Sequence, residues 1–491
     1  MTSTDINRSL QWLGPILGLS LMIAGKAGVE WLGLNGGPLV MLGITVWVAL
    51  WWVTEAMPIA ATSLLPALLL PLTGILVAED TAGAYMDRFI LLMMAGFMAA
   101  LAIERCGLHR RLALAVMLRI GTSPRRLLLG LLTATALASM WIANTAATLI
   151  MLPVALALAA RLQAAHAATG FATALCIAIA WGASIGGIAT PLGTPPNLIY
   201  LAALERLTGA APGFLDWMVI ATPISLLLLA AAYFILRRDV PIAAADATLA
   251  GRDVLRSEWI ALGPMRRDER IVAVVFGAMV LLWVTRKIDL GLSAEGVMQS
   301  VGWAPLLGLG KSVDDSTVAV LGVLLLFLLP SALRRGERLL DWPTASRIPW
   351  EVVLLFGGGL ALAKGFAASG LSAAVAGTLS GLGGLEPWLI VLVICLVVTF
   401  VTEVTSNTAV TTLLMPILAG FSTASGLPPE VVMLPAAIAA SCAFMLPVGT
   451  PPNAVVFGSG HVPIAQMARA GLWLNLLGTL IITGLISAAT H

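Results

Sequence analysis

The sequence predicts an all-α polytopic membrane protein with eleven transmembrane helices, two re-entrant hairpins and an inverted-topology repeat. Three observations carry this. The 491 residues are 59% hydrophobic and 11% charged, with mean hydropathy +0.99, whereas a soluble domain is about 25% charged. The apolar excess runs along the whole chain in stretches that approach the ~20 residues needed to cross a bilayer. And a set of polar and helix-breaking motifs occurs twice, in the same order.

The apolar runs at residues 39–53, 59–77, 214–236, 271–285 and 318–333 read as spans. Trp12 to Ile23, after Arg8, reads as a further span rather than a cleavable leader. Lys and Arg mark cytoplasmic loops. Their clusters are Arg110-Arg111, Arg119, Arg125-Arg126, Arg161, Arg237-Arg238, residues 252–270 and residues 334–347. The segment from Arg126 to Arg161 holds two apolar halves, each about 17 residues, the short limit for a span. Both of its ends are basic, so it reads as a hairpin entering from the cytoplasm and turning back. The segment from Glu386 to Glu430 has the same form. No Lys or Arg stands between Lys364 and Arg469, so this hairpin enters from outside. The N-terminus is then cytoplasmic and the C-terminus external, in an inner membrane. The expected division is a first scaffold part (1–120), a first transport half (121–237), a cytoplasmic loop (238–270), a scaffold part of the second half (271–380) and a second transport half (381–491).

Composition also excludes classes. A net charge of +2 implies no polyanionic partner, hence no nucleic acid. Cys106, Cys176, Cys395 and Cys442 have neither metal-ligand spacing nor a disulfide pattern. His109, His166, His461 and His491 form no metal-binding pair.

The repeat has an offset of 263 residues. Leu91-Leu92, Gly96 and Gly107-Leu108 match Leu354-Leu355, Gly359 and Gly370-Leu371. Asn144-Thr145-Ala146 and Pro153 match Asn407-Thr408-Ala409 and Pro416. Gly193-Thr194-Pro195-Pro196-Asn197 recurs as Gly449-Thr450-Pro451-Pro452-Asn453 after a loop shortened by seven. Inverted repeats with interrupted helices at matching places point to a transporter site at the bilayer midplane.

The chemistry follows from residue type. Paired prolines remove backbone donors and break a helix. In lipid the freed groups are tolerated only around a polar cavity. Thr194 and Thr450 stand where an N-cap belongs, with Pro195 and Pro451 at the first helical position. Gly193 and Gly449 let the chain bend and leave carbonyls open to a cation. Asn144-Thr145 and Ser406-Asn407-Thr408 lie at the hairpin tips, where side-chain oxygens can ligate sodium and amide and hydroxyl donors can hold a carboxylate. Four half-helix N-termini converge, an arrangement that binds an anion without a buried Arg. No basic residue lies near the four motifs in sequence, so a sodium ion at each tip would supply the missing positive charge.

Other residues have blander readings. Glu55 marks a span end, Lys364 is snorkelling or paired, His461 is structural, and most of the 15 Trp residues form an interfacial belt. For Glu403, beside the second tip, a functional role and an interhelical hydrogen bond both stay open. Gly182-Ala183-Ser184-Ile185-Gly186 matches a nucleophile pattern that needs a strand-to-helix turn. In an apolar span it reads as helix packing, so no enzyme is expected.

The chain resembles the divalent anion/sodium symporter family, which includes bacterial and animal di- and tricarboxylate carriers. The resemblance rests on residues 51–58, 104–111 and 354–371, and on the string from Phe444 to Ala454. It implies an elevator-type transporter, a homodimer in the lipid bilayer, that carries a small dicarboxylate with sodium as transported co-ion. Carried over, the first sodium site would use Ser139, Ala143 (through its backbone), Asn144 and Gly193. The second would use Thr402, Ser406, Asn407 and Gly449. Substrate carboxylates would meet Asn144, Thr145, Ser406, Asn407 and Thr408, flanked by Thr194, Pro195, Thr450 and Pro451. The main expectation is sodium-coupled symport of succinate, malate or fumarate. Ala143 departs from the family, which has Ser at both tips, and this keeps sodium-independent exchange as an alternative. Sulfate or citrate carriage is a further one. An enzyme would need a catalytic pair in adjacent spans, and a channel would need no inverted broken-helix repeat.

Overall fold

The computed structural model describes residues 3–165, 170–240, 245–292, 298–310, 312–334, 336–379 and 384–489. His166 and His491, named above, lie outside the described residues. The chain opens with an antiparallel pair, α1 (Ser3–Lys26) and α2 (Gly36–Thr54). The apolar run at 59–77 was expected to be one span. It folds instead as two short helices, α3 (Ile59–Thr62) and α4 (Leu65–Thr73), before α5 (Ala78–Ala84). Pro66 stands in the first turn of α4, and Gly74 in the left-handed region (φ 75°) ends it.

From here the two repeats run in parallel. In the first, α6 (Arg88–Cys106) turns at Gly107 into α7 (Leu108–Ile120). The hairpin α8 (Pro124–Ser139) and α9 (Asn144–Ala165) follows, then the broken pair α10 (Phe171–Ile188) and α11 (Pro195–Thr208), then α12 (Phe214–Leu236).

The link between repeats holds α13 (Ala245–Ala261) and α14 (Arg267–Arg286). The expected cytoplasmic loop at 238–270 is therefore largely helical. It is pinned by Arg111 on α7, which is 7% exposed and donates to Glu269 Oε2 (2.7 Å) and to the Gly263 carbonyl (3.0 Å). After α14 come a two-stranded antiparallel ribbon, β1 (Ile288–Leu292) and β2 (Met298–Val301), then α15 (Trp303–Leu306), α16 (Asp315–Leu328) and α17 (Trp342–Ala345).

In the second repeat α18 (Trp350–Ser369) turns at Gly370 into α19 (Leu371–Leu379). The hairpin is α20 (Pro387–Thr402) and α21 (Asn407–Ser425), the broken pair is α22 (Pro429–Ala439) and α23 (Pro451–Gly458), and α24 (Ile464–Ala489) follows. The hairpin helices keep the 263-residue offset at both α8/α20 ends and at the start of α9/α21. Gly107 (φ 84°) and Gly370 (φ 80°) make the same left-handed turn, which a side chain would strain.

Among the described residues, eight helical segments are long and apolar enough to cross a membrane, and α16, α20 and α22 are apolar but shorter. Every residue of α10 is buried. A helix apolar on all sides belongs at the centre of a bundle, and α10 packs against α8, α9, α12 and α23. Its small residues set the approach: a Cβ on Gly182 would lie 2.7 Å from the Leu132 carbonyl, and one on Gly186 2.2 Å from the Ala136 carbonyl. The Gly-x-Ser-x-Gly pattern is thus a helix-packing seam, as expected.

Candidate binding site at the paired helix breaks

In each repeat a hairpin tip meets a helix break. In the first, Ser139 ends α8 fully buried, and its hydroxyl donates to Asn144 Oδ1 (2.6 Å) at the start of α9. Thr148 Oγ1 donates to the Asn144 carbonyl (2.8 Å). A Cβ on Gly187, at the end of α10, would lie 2.8 Å from Asn144 Oδ1 and 3.0 Å from the Gly193 carbonyl. The Asn144 amide, the Ser139 hydroxyl and the Gly193 carbonyl therefore gather around the buried Cα of Gly187. Ala143 can offer only its backbone carbonyl, which accepts from Ala147 N (3.0 Å). Thr145 is half-buried, one residue beyond Asn144.

The second tip repeats the geometry. Thr402 ends α20 fully buried, with Oγ1 2.6 Å from Asn407 Oδ1 and 3.0 Å from the Ala440 carbonyl. Thr411 Oγ1 donates to the Asn407 carbonyl (2.8 Å). Ser406 caps α21, accepting from Ala409 N, and Thr408 is buried just inside the helix. Gly449 packs on Glu403: a Cβ there would lie 3.0 Å from Oε2.

The breaks match as well. Thr194 and Thr450 are extended N-caps (φ −148° and −142°), with Pro195 and Pro451 opening α11 and α23. Thr450 Oγ1 accepts from Asn453 N, whereas the Thr194 side chain makes no cap bond. The motif's last residue braces the unwound turn in both repeats. Asn197 Nδ2 donates to the carbonyls of Gly187 (2.9 Å) and Thr190 (2.7 Å), and Asn453 Nδ2 to those of Ala443 (3.1 Å) and Leu446 (3.0 Å). Both Asn side chains are fully buried, and their Oδ1 atoms have no protein partner. Sequence reasoning gave these asparagines no role, although their recurrence in the repeated motif was the available signal.

The repeats interlock. α9 packs on α10 of its own repeat and on α23 of the other, while α21 packs on α22 and on α11. Trp181 on α10 donates to the Phe444 carbonyl of the second break (3.1 Å), with the two rings 5.8 Å apart. Paired oxygens at a hairpin tip, an open glycine carbonyl and half-helix N-termini suit a small cation and an anion together. Neither of these features is a nucleophile–base pair.

Fold and site thus define a multi-pass membrane protein built on a repeat of broken helices, the architecture of a transporter. Residues 30–489 match the sodium:sulfate symporter transmembrane region family, and the chain belongs to that family. It is 40% identical to the sodium-dependent dicarboxylate transporter SdcS of Staphylococcus saprophyticus, over 96% of this chain and 90% of the relative. The SdcS of Staphylococcus aureus is 41% identical, over 96% and 88%. Two solved structures share the fold at 14% identity. MtrF of Neisseria gonorrhoeae has a TM-score of 0.61, covering 98% of this chain and 97% of its own, and YdaH of Alcanivorax borkumensis has 0.56, covering 99% and 98%. The family resemblance read from the sequence is borne out.

Proposed function

We propose that the chain is a sodium-coupled symporter of C4-dicarboxylates such as succinate, malate and fumarate. The observation that carries this is the duplicated tie of Ser139 to Asn144 and Thr402 to Asn407, each set against an unwound Gly-Thr-Pro-Pro turn. The dicarboxylate relatives at 40–41% identity favour a carboxylate over sulfate as the anion. One sodium would sit among Ser139, Asn144, Gly193 and the Ala143 backbone, the other among Thr402, Ser406, Asn407 and Gly449. The substrate's two carboxylates would bridge the Asn-Thr pairs 144–145 and 407–408, with Ser406, Thr194-Pro195 and Thr450-Pro451 at its flanks.

The proposed working unit is a homodimer in an inner membrane, N-terminus cytoplasmic and C-terminus external, with eleven crossings and two hairpins per chain. Residues 1–120 and 271–380 form the frame. Residues 121–237 and 381–491 slide through the membrane as an elevator, and 238–270 lies on the cytoplasmic side. Ala143 favours one second reading, dicarboxylate exchange without sodium, because the first tip lacks a hydroxyl. Labelled succinate uptake into proteoliposomes decides. Uptake that needs an inward sodium gradient supports symport. Uptake indifferent to sodium but dependent on internal dicarboxylate selects exchange.

A further inference from the structure

Glu403 is a carboxylate 3% exposed at the centre of the second repeat, and its four partners are uncharged. Oε1 accepts from Phe444 N (2.7 Å), Met445 N (2.9 Å) and Asn475 Nδ2 (2.7 Å). Oε2 accepts from Leu446 N alone (2.9 Å) and faces Gly449. All four partners donate, so the group serves only as an acceptor and keeps a free lone pair on the Gly449 side.

The first repeat shows that this tie needs no charge. The position matching Glu403 is Met140, and the position matching Leu446 is Thr190. There the same two positions are joined by Thr190 Oγ1 donating to the Met140 carbonyl (2.5 Å). A neutral hydroxyl holds one break and an ion holds the other. Burying a carboxylate is costly unless an opposite charge offsets it. The adjoining cluster of Thr402, Asn407 and Gly449 is where that opposite charge is proposed to bind.

We propose that Glu403 is a positioning residue that supplies the fixed negative charge of the second sodium site, so that the two sites are unequal and the one beside Gly449 fills first and more tightly. This rests on the sodium-coupled reading above. Glu403 holds the second break closed over the cation by three backbone N–H bonds, and its charge raises the affinity of the ion that the Asn407 amide ligates. At an effective dielectric constant near 20, a unit charge within ~8 Å of a cation changes affinity by about tenfold or more.

The test grafts the neutral tie of the first repeat into the second, with Glu403→Met and Leu446→Thr combined, beside Glu403→Gln and Glu403→Asp. Two sodium half-saturation values are read: thermal stabilisation of the purified protein without substrate, and succinate uptake. In the graft and in Glu403→Gln, both values are expected to rise about tenfold or more. Succinate KM at saturating sodium stays close to wild type, and Glu403→Asp recovers much of the loss. A folded graft with wild-type sodium half-saturation overturns the inference while leaving symport standing. If neither neutral variant folds even in high sodium, Glu403 is a brace and the inference also falls. A wild-type protein that sodium neither stabilises nor energises refutes the symport reading itself.

Discussion

Asn144 and Asn407 each accept a buried hydroxyl on one Oδ1 lone pair, which leaves the other lone pair for a cation and Nδ2 for a carboxylate. Alanine at either position removes a proposed cation ligand and a carboxylate donor together. Asn144→Ala and Asn407→Ala are therefore expected to abolish sodium-driven uptake, and substrate-free sodium stabilisation should weaken in each. Retained uptake in either variant contradicts the shared site. Asn453 acts on the backbone instead. Asn453→Ala strands the Ala443 carbonyl and leaves the Leu446 carbonyl with Gly449 N as its donor. A buried orphan costs about 1–3 kcal/mol, so a clear fall in melting temperature is expected, whereas a melting point equal to wild type would mean that water replaces the amide. The tips were legible in the sequence because Asn and the paired prolines each name their own local geometry. Glu403 was left between two roles because its donors lie 41 to 72 residues away in the chain, and no spacing rule reaches them.

At the scale of the helix, close approach rather than propensity decides which substitutions are tolerated. Gly186 faces Ala136 backbone so closely that a Cβ would lie 2.2 Å from its carbonyl oxygen and 2.5 Å from its Cα. Gly277 on α14 has open space around it. Alanine favours an ordinary helix by about 1 kcal/mol over glycine. Gly277→Ala should therefore leave the detergent-solubilised protein equally or slightly more stable, while Gly186→Ala should force α8 and α10 apart and lower the unfolding temperature sharply. Equal melting curves for the two would refute the packing reading. The broken element at 59–77 was not legible from apolar length. Its turn at Ser63 is fully buried, with the Ser63 carbonyl taking a hydrogen bond from the Tyr85 hydroxyl (2.6 Å) and the Ser63 side chain one from Trp52 Nε1 (3.1 Å). Tertiary partners satisfy the groups that a break exposes, and they come from elsewhere in the chain. The apolar helices α20 and α22 are short for the related reason that they end inside the protein at a tip or a break.

For the whole molecule, the decisive contacts join parts that the elevator reading sets in relative motion. Asp87 and Arg88, at the start of α6, pair crosswise with Arg206 and Glu205, near the end of α11. Arg88 Nε lies 2.9 Å from Glu205 Oε2, and Arg206 Nη2 lies 3.1 Å from Asp87 Oδ2. Arg206 also donates to the Leu360 carbonyl of α18 (2.7 Å). The parts proposed as frame and mobile half are thus clasped to each other. The Arg88–Glu205 pair is partly exposed, so each link contributes only about 0–1 kcal/mol after screening. Such a clasp tips an equilibrium between two positions without locking it. Losing one link should shift the populations by up to about fivefold, since 1.4 kcal/mol is a factor of ten. Spin labels on cysteines placed at the exposed Met86 and Leu207 report the separation of the two ends directly. Glu205→Gln, or high salt acting on the wild type, should move weight from the short distance to a longer one. The unchanged distance distribution of a Glu205→Gln variant would mean that the clasp merely decorates an interface held by its apolar contacts.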